Sequence, residues 1–463
     1  MNCDEKNSLL ITGPVDREDL WPKINEYEAQ RFQFRWEFGL TDLPTTGGVI
    51  SIRGARQIGK STWLELKLLE TIEKYGLGTA FILNGDSIYS HDEFEKKLLE
   101  LSASFKKNAK VRRIFIDEIT QIKNWERVIK RLIDQGQLKN ILIVTTGSNA
   151  ADLKHGQEKL PGRKGDLDRT EYIFLPISFK EFYYQTKGEI GQFESDLLPS
   201  YILTGGSPLA IQSLYLHEYI SDSFTSLICD WILGDVVESG RSRIFLLNLL
   251  KRVYATAPSS LSYTKLAKEA GLANNSAALD YVERLSDLLI LQPMMLWDHN
   301  KNTSLARSAS KFNFINLSAA WAFHPKCPRY IHEVKKLEGR ERGAMFEWLV
   351  AQELWRQTVL ARQSETSRAR SPHLELDLMY WASQTHEIDF VLPDRTLIEV
   401  KAGPSDPKEF AWFSKVFPNK SLKIISDSEF ETDHVKSIKP ITFLLEAPSD
   451  LYFDSDRVPW PQL

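Results

Sequence analysis

The chain has 463 residues, room for about three domains at ~150 residues each. Hydrophobic residues make up 42% and charged residues 26%, an ordinary globular balance, and no run approaches the ~20 apolar residues of a membrane span. A net charge of −4 excludes a whole-molecule field that draws in nucleic acid, so any such binding needs a local patch.

Residues 1–45 are aromatic-rich and charged with no clear period, and we expect an extension packing on the first domain. Met1 to Lys6 carries acids where a secretory leader carries bases. Cys3, Cys229 and Cys327 are scattered and odd in number, so neither a disulfide framework nor a zinc spacing is expected, and a reducing cytoplasm is the expected home. Gly48 to Arg53 predicts a buried strand. It enters Gly54-Ala55-Arg56-Gln57-Ile58-Gly59-Lys60-Ser61, which fits G-x-x-x-x-G-K-[ST]. Gly54 and Gly59 allow a tight turn whose N–H groups face phosphate oxygens. Lys60 supplies a point charge for the β- and γ-phosphates, and Ser61 offers a hydroxyl to Mg²⁺. Ser61 and Thr62 open a predicted helix with its N-terminus aimed at the anion. Arg56 either adds charge near the phosphates or pairs with structure.

Further strands are predicted at Gly78 to Asn84, Arg113 to Asp117, Asn140 to Ser148 and Glu171 to Pro176, with helices between them, such as Trp125 to Gln135. That alternation predicts a parallel sheet covered on both faces. The strand Ile114-Phe-Ile-Asp117 ends in Asp117-Glu118. Asp117 would orient Mg²⁺, and Glu118 would activate the attacking water, so hydrolysis of ATP is expected beyond binding. Ser148 either senses the γ-phosphate or caps its strand. Arg163 reads either as an arginine finger or as one base of a surface cluster with Lys164 and Arg169.

Residues 178–239 turn helical and are expected to form a lid. Between 240 and 328, three helices (Arg243 to Ala257, Ser262 to Gly271, Asn275 to Asp287) precede a ribbon of Leu289 to Trp297 with Lys311 to Ile315. This is the winged-helix order. The would-be recognition helix carries Asp280, Glu283 and Asp287 against Arg284 alone, the wrong balance for a groove reader, so we read the module as structural or as a partner surface. In residues 329–447, a helix at Gly343 to Arg356 precedes strands at Leu376 to Ala382, Glu387 to Leu392 and Arg395 to Lys401. Glu399 and Lys401 lie two apart and share a strand face. With Asp389 they form the PD-(D/E)XK pattern, in which Asp389, Glu399 and the Val400 carbonyl would hold Mg²⁺ and Lys401 would steady a water. Glu347 on the preceding helix is a further candidate ligand. The bases Lys335, Lys336, Arg340, Arg342, Arg362, Arg368 and Arg370 are the phosphate-contact candidates. Residues 448–463 form a C-terminal tail.

These stretches, with Thr146-Gly-Ser148, Leu175 to Phe182, Tyr201 to Pro208 and Phe346 to Leu354, resemble bacterial and archaeal AAA-type ATPases that carry a C-terminal restriction-endonuclease-like domain. The resemblance implies an α/β fold: an ASCE-type P-loop core over residues 46–177, a winged-helix middle and a PD-(D/E)XK nuclease-like end. It departs at Phe314-Ile-Asn316, where members often have Phe-x-Asp. The expected cofactors are ATP and Mg²⁺. The expected partners are DNA or RNA at the last domain, and further copies or a protein effector, with no membrane. Two functions stay open: ATP hydrolysis controlling a nuclease-like domain in DNA processing or defence, or an oligomeric ATP-dependent switch whose inactive nuclease-like domain recruits an effector.

Overall fold

Apolar runs bounded by glycine and asparagine become short parallel strands, and the amphipathic stretches between them become covering helices. The computed structural model describes all residues except 16–17, 148–149, 160–166, 187–188, 190–193, 306–307, 365–377 and 449–463. Ser148, Arg163, Arg368 and Arg370 thus lie outside the described residues. The chain divides into two units. The first holds residues 1–175, 287–289 and 360–371, and the second holds the remainder.

The first unit begins with α1 (Cys3–Thr12) and α2 (Pro22–Glu28). Then come β1 (Gly48–Arg53), α3 (Lys60–Tyr75), β2 (Ala80–Asn84), α4 (His91–Ser104) and β3 (Arg113–Asp117). α5 (Trp125–Asp134), β4 (Leu142–Gly147), α6 (Ala150–Glu158) and β5 (Glu171–Ile173) complete it. The strands pair in parallel in the order β2-β3-β4-β1-β5. β4 therefore separates the loop-bearing β1 from the acid-bearing β3; β4 is buried throughout, and β1 and β3 are half-buried only at their ends. Ser90 caps α4 by accepting from the Glu93 N–H at 3.1 Å.

The extension is helical where the sequence shows no period. α1 starts in a reciprocal cap between Asn2 and Glu5. Its inner face is polar: Lys6 and Asn7 are buried beside Leu10. Asn7 docks on the free edge of β2, its amide donating to the Ile82 carbonyl at 2.8 Å and its oxygen accepting from the Ile82 N–H at 2.9 Å. The side chain thus imitates a neighbouring strand. Lys6 pairs with buried Glu65 of α3 at 2.6 Å, and Glu65 also accepts from the N–H groups of Lys23 and Ile24.

The second unit opens with α7 (Phe179–Thr186), α8 (Glu194–Thr204), α9 (Pro208–His217) and α10 (Asp222–Glu238). α11 (Arg243–Thr256), α12 (Tyr263–Ala270) and α13 (Asn275–Asp287) precede β6 (Leu291–Asp298), β7 (Thr303–Leu305) and β8 (Lys311–Phe314). After α14 (Leu317–Ala322), α15 (Ile331–Lys335) and α16 (Gly339–Ser364) come β9 (Met379–Ala382), β10 (Glu387–Val391) and β11 (Leu397–Val400). α17 (Phe413–Val416), β12 (Leu422–Ile425), β13 (Phe430–Glu431), β14 (Val435–Ile438) and α18 (Pro440–Leu445) follow. The expected ribbon forms as the antiparallel pair β6–β8, but β6 also pairs in parallel with β9. The ribbon therefore continues into the last sheet, in the order β13-β14-β12-β11-β10-β9-β6-β7. Trp297 of β6 belongs to the same buried core as Trp381, Ile388, Leu397 and Phe413, and this burial drives the joining. Among the described residues, no helix is long and apolar enough to cross a membrane.

Candidate functional site

The loop between β1 and α3 is held in an unusual backbone shape. Gln57 and Gly59 both have left-handed φ, 62° and 100°. Gly59 has no substitute, because a Cβ there would lie 2.4 Å from the Trp36 ring. Trp36 belongs to the extension, and its indole N–H donates to the Ile58 carbonyl at 2.8 Å. It rests on an aromatic bed, with ring centroids 5.5 Å from Tyr27 and 6.0 Å from Phe174. Gly54 sits against Phe174, with 2.9 Å left for a Cβ. The extension thus braces the loop from outside.

Lys60 is buried, and its ammonium donates to the Gly54 carbonyl at 2.9 Å and the Ala55 carbonyl at 2.6 Å. Burial lowers its pKa to about 8, against the opposing charges of Glu118 and Asp117. Its partners are neutral oxygens, which phosphate oxygens would improve on. Ser61 and Thr62 occupy the first turn of α3, half-buried. The Arg56 Nε is buried without a hydrogen-bond partner among the described residues, which fits a group awaiting an anion.

Asp117 ends β3. Its Oδ1 accepts from the Thr146 hydroxyl of β4 and from the Glu118 N–H at 3.1 Å. Glu118 follows in left-handed conformation, φ 49°. Gly85, just past β2, runs so close that a Cβ would lie 2.1 Å from the Glu118 carbonyl oxygen. This approach brings in Asp86, which the sequence reading missed. Its carboxyl is pushed up by burial and then by the charges of Glu118 and Asp117, with Arg56 opposing. Lys60, Arg56, Asp86, Asp117 and Glu118 therefore share one field. The signal for Asp86 was Asn84-Gly85-Asp86 at the end of a strand, since Asn84 stands in register with Asp117.

A second polar cluster lies in the second unit. β10 bulges against β9, so Asp389 and Phe390 oppose Tyr380 alone. The Asp389 Oδ2 accepts from the Val400 N–H at 2.8 Å. Glu399 accepts from the Asp389 N–H at 3.3 Å and from the Lys401 ammonium at 2.6 Å. Glu347 of α16 is buried in the same place. The expected residues do meet, and a lysine from outside the expected set stands among them. The ammonium of Lys311, from β8, lies 2.8 Å from Asp389, 2.8 Å from Glu347 and 2.5 Å from Glu387. Burial disfavours its charge, yet Asp389, Glu347 and Glu387 outweigh that and hold Lys311 well above the ordinary lysine range. The acids outnumber the bases. Burial pushes Glu347 well up, and burial with the Asp389 charge pushes Glu399 to about 8. Lys401 is raised because its pairing with Glu399 overcomes burial. Sequence reading missed Lys311, which comes from β8, outside both the last strands and α16, and it took Glu387 only as the start of its strand.

Three of the candidate phosphate contacts, Lys335, Arg340 and Arg342, have internal partners. Lys335 pairs with Asp196, Arg340 donates to the carbonyls of Ala257 and Thr256, and Arg342 lies 3.6 Å from Asp427. Arg284 of α13 is buried and donates to the Asp235 carbonyl at 3.1 Å.

Residues 46–183 match the family described as AAA domain, and this segment is an AAA-type P-loop ATPase domain. An uncharacterized protein of Methanocaldococcus jannaschii is 26% identical over 325 residues, 63% of this chain and 66% of its own length. The match thus spans just under two thirds of that relative. A Walker-type ATPase of Pyrococcus abyssi aligns at TM-score 0.42 and 13% identity, covering 67% of this chain and 96% of that one. Cdc6p of Pyrobaculum aerophilum aligns at TM-score 0.25 and 14% identity, covering 71% of this chain and 98% of that one.

Proposed function

We propose that this chain hydrolyses ATP at the loop of Gly54 to Ser61 and uses the bound or spent nucleotide to control a nuclease-like C-terminal domain that binds nucleic acid or a protein effector. The observation that carries the hydrolytic part is the convergence of Lys60, Asp117 and Glu118, with β4 between their strands. Loop N–H groups and Lys60 would bind the phosphates, and Arg56 would add charge. Mg²⁺ would be held by Ser61 and Asp117 and would supply positive charge to the phosphate oxygens. Glu118 would take a proton from the attacking water. Arg163 and Ser148 remain proposals for the finger and the γ-phosphate sensor. Lys60→Ala should abolish turnover of ATP by the purified chain, and Glu118→Gln should leave nucleotide bound but uncleaved. Retained turnover in Lys60→Ala would sink the assignment.

A second reading, metal-dependent cleavage within DNA processing or defence, is favoured by the contact of Asp389, Glu399 and Lys401. The first reading is preferred because α13 buries its arginine, in line with a structural role, and because Lys335 and Arg340 already have internal partners. Cleavage of any DNA or RNA by the chain with ATP and Mg²⁺ would reverse that preference.

A further inference from the structure

The nuclease-like reading of the last strands implies a divalent cation among Asp389, Glu399 and Glu347. The donor set does not fit one. A magnesium ion draws oxygens to about 2.0–2.1 Å around one point and keeps octahedral geometry. Here the ammonium of Lys311, whose side chain is 1% exposed, lies between two of those acids, Asp389 and Glu347, while Glu399 is paired with Lys401. Its ammonium hydrogen-bonds Glu387 at 2.5 Å and Asp389 at 2.8 Å, and it lies within ion-pair distance of Glu347, 2.8 Å, without the angle of a hydrogen bond. Further oxygens of Asp389 and Glu399 are also engaged. Asp389 Oδ2 is on the Val400 N–H, and Glu399 is divided between Lys401 and the Asp389 N–H. Among the described residues, no three acid, cysteine or histidine side chains are arranged to hold a metal ion.

We infer that the Lys311 ammonium is the resident cation of this domain, standing where the nuclease pattern would place a divalent metal. The inference rests on the nuclease-like reading of β9 to β12. Three features make Lys311 more than an incidental pairing. It comes from β8, which lies outside the nuclease-like strands in sequence. The β10 bulge sits at the residue it binds. Its withdrawal would leave Glu347 and Asp389 buried without a counter-charge, which is strongly unfavourable. Added metal would have to displace a lysine already bonded by charge-assisted contacts, so the site is closed to metal at ordinary concentrations.

The test is titration of the nucleotide-free full chain with Mn²⁺, followed by calorimetry and by the electron paramagnetic resonance of free Mn²⁺. Wild type should show no binding that Asp389→Asn removes. Lys311→Ala should gain one Mn²⁺ site, and Lys311→Ala with Asp389→Asn should lose it. Lys311→Ala with Glu347→Gln is run alongside, because it removes the most buried of the stranded acids, and near-UV circular dichroism checks both folds. A wild type that binds Mn²⁺ through Asp389 overturns the inference and leaves the nuclease-like reading standing. A folded Lys311→Ala that gains no site overturns both, since the acids would then be a structural ion network. If neither Lys311 variant folds, the comparison of wild type with Asp389→Asn decides alone.

Discussion

Lys60 is the residue on which the chemistry and the pH behaviour of the first unit meet. Burial lowers its pKa from 10.5 to about 8 in the nucleotide-free fold. For a base shifted this way, the folded state binds fewer protons than the unfolded state between those values. Burial of the ammonium therefore costs stability below pH 8, and the cost is relieved as pH rises from about 8 to 10.5. Nucleotide phosphates favour the charged form, so binding takes up a proton wherever Lys60 is partly neutral. We expect ATP affinity to fall as pH rises through about 8, and Lys60→Arg, which stays charged, to remove that slope. Fluorescent-nucleotide titrations between pH 6.5 and 9.5 (a range chosen as roughly bracketing that pKa) would show it, and a flat wild-type profile would contradict it. At this scale the sequence was most legible where backbone geometry demands a residue type. Gly54 and Gly59 announced themselves because nothing larger fits. Asp86 and Lys311 did not, because each acts through a neighbour that only the folded chain supplies.

The elements were legible where a strand is wholly buried or a helix is long. Arg113–Asp117 and Asn275–Asp287 fall where the sequence placed them. The extension was not, for a physical reason. α1 buries a lysine and an asparagine, so its inward face is polar and shows no apolar stripe. Its order comes from tertiary partners, above all Glu65, which receives Lys6 and two backbone N–H groups. Glu65→Ala removes one partner of a buried pair and should destabilise the first unit by about 3–5 kcal/mol. Urea unfolding followed through tryptophan fluorescence would measure this, and a loss below about 1 kcal/mol would show the network to be peripheral. Because α1 and α2 carry the chain toward Trp36, the same substitution should weaken nucleotide binding. The merging of β6 with β9 was equally hidden, since strand pairing between distant segments leaves no periodic trace in either.

On the scale of the whole chain, a charge of −4 leaves attraction of polyanions to local patches. The patch formed by Lys335, Arg340 and Arg342 is spent on internal partners. Nucleic-acid binding, where it occurs, would draw on other bases and weaken with salt, because releasing counterions into a saltier solution gains less free energy. Each unit carries its own polar cluster, one built to receive an anion at Lys60 and one already neutralising acids at Lys311.

The single asparagine on the rim of β2 has a colloidal consequence. Without Asn7, the Ile82 N–H and carbonyl present an open peptide to whatever strand arrives first, including that of another copy. A chain lacking residues 1–12 should form concentration-dependent oligomers that dynamic light scattering detects, and Asn7→Ala, which keeps the Lys6–Glu65 pair, should show a milder form with the first unit still folded. A truncated chain that remains monodisperse would mean that solubility is guarded elsewhere. Association of the truncated chain would make the first helix a keeper of solubility as well as a partner of Glu65.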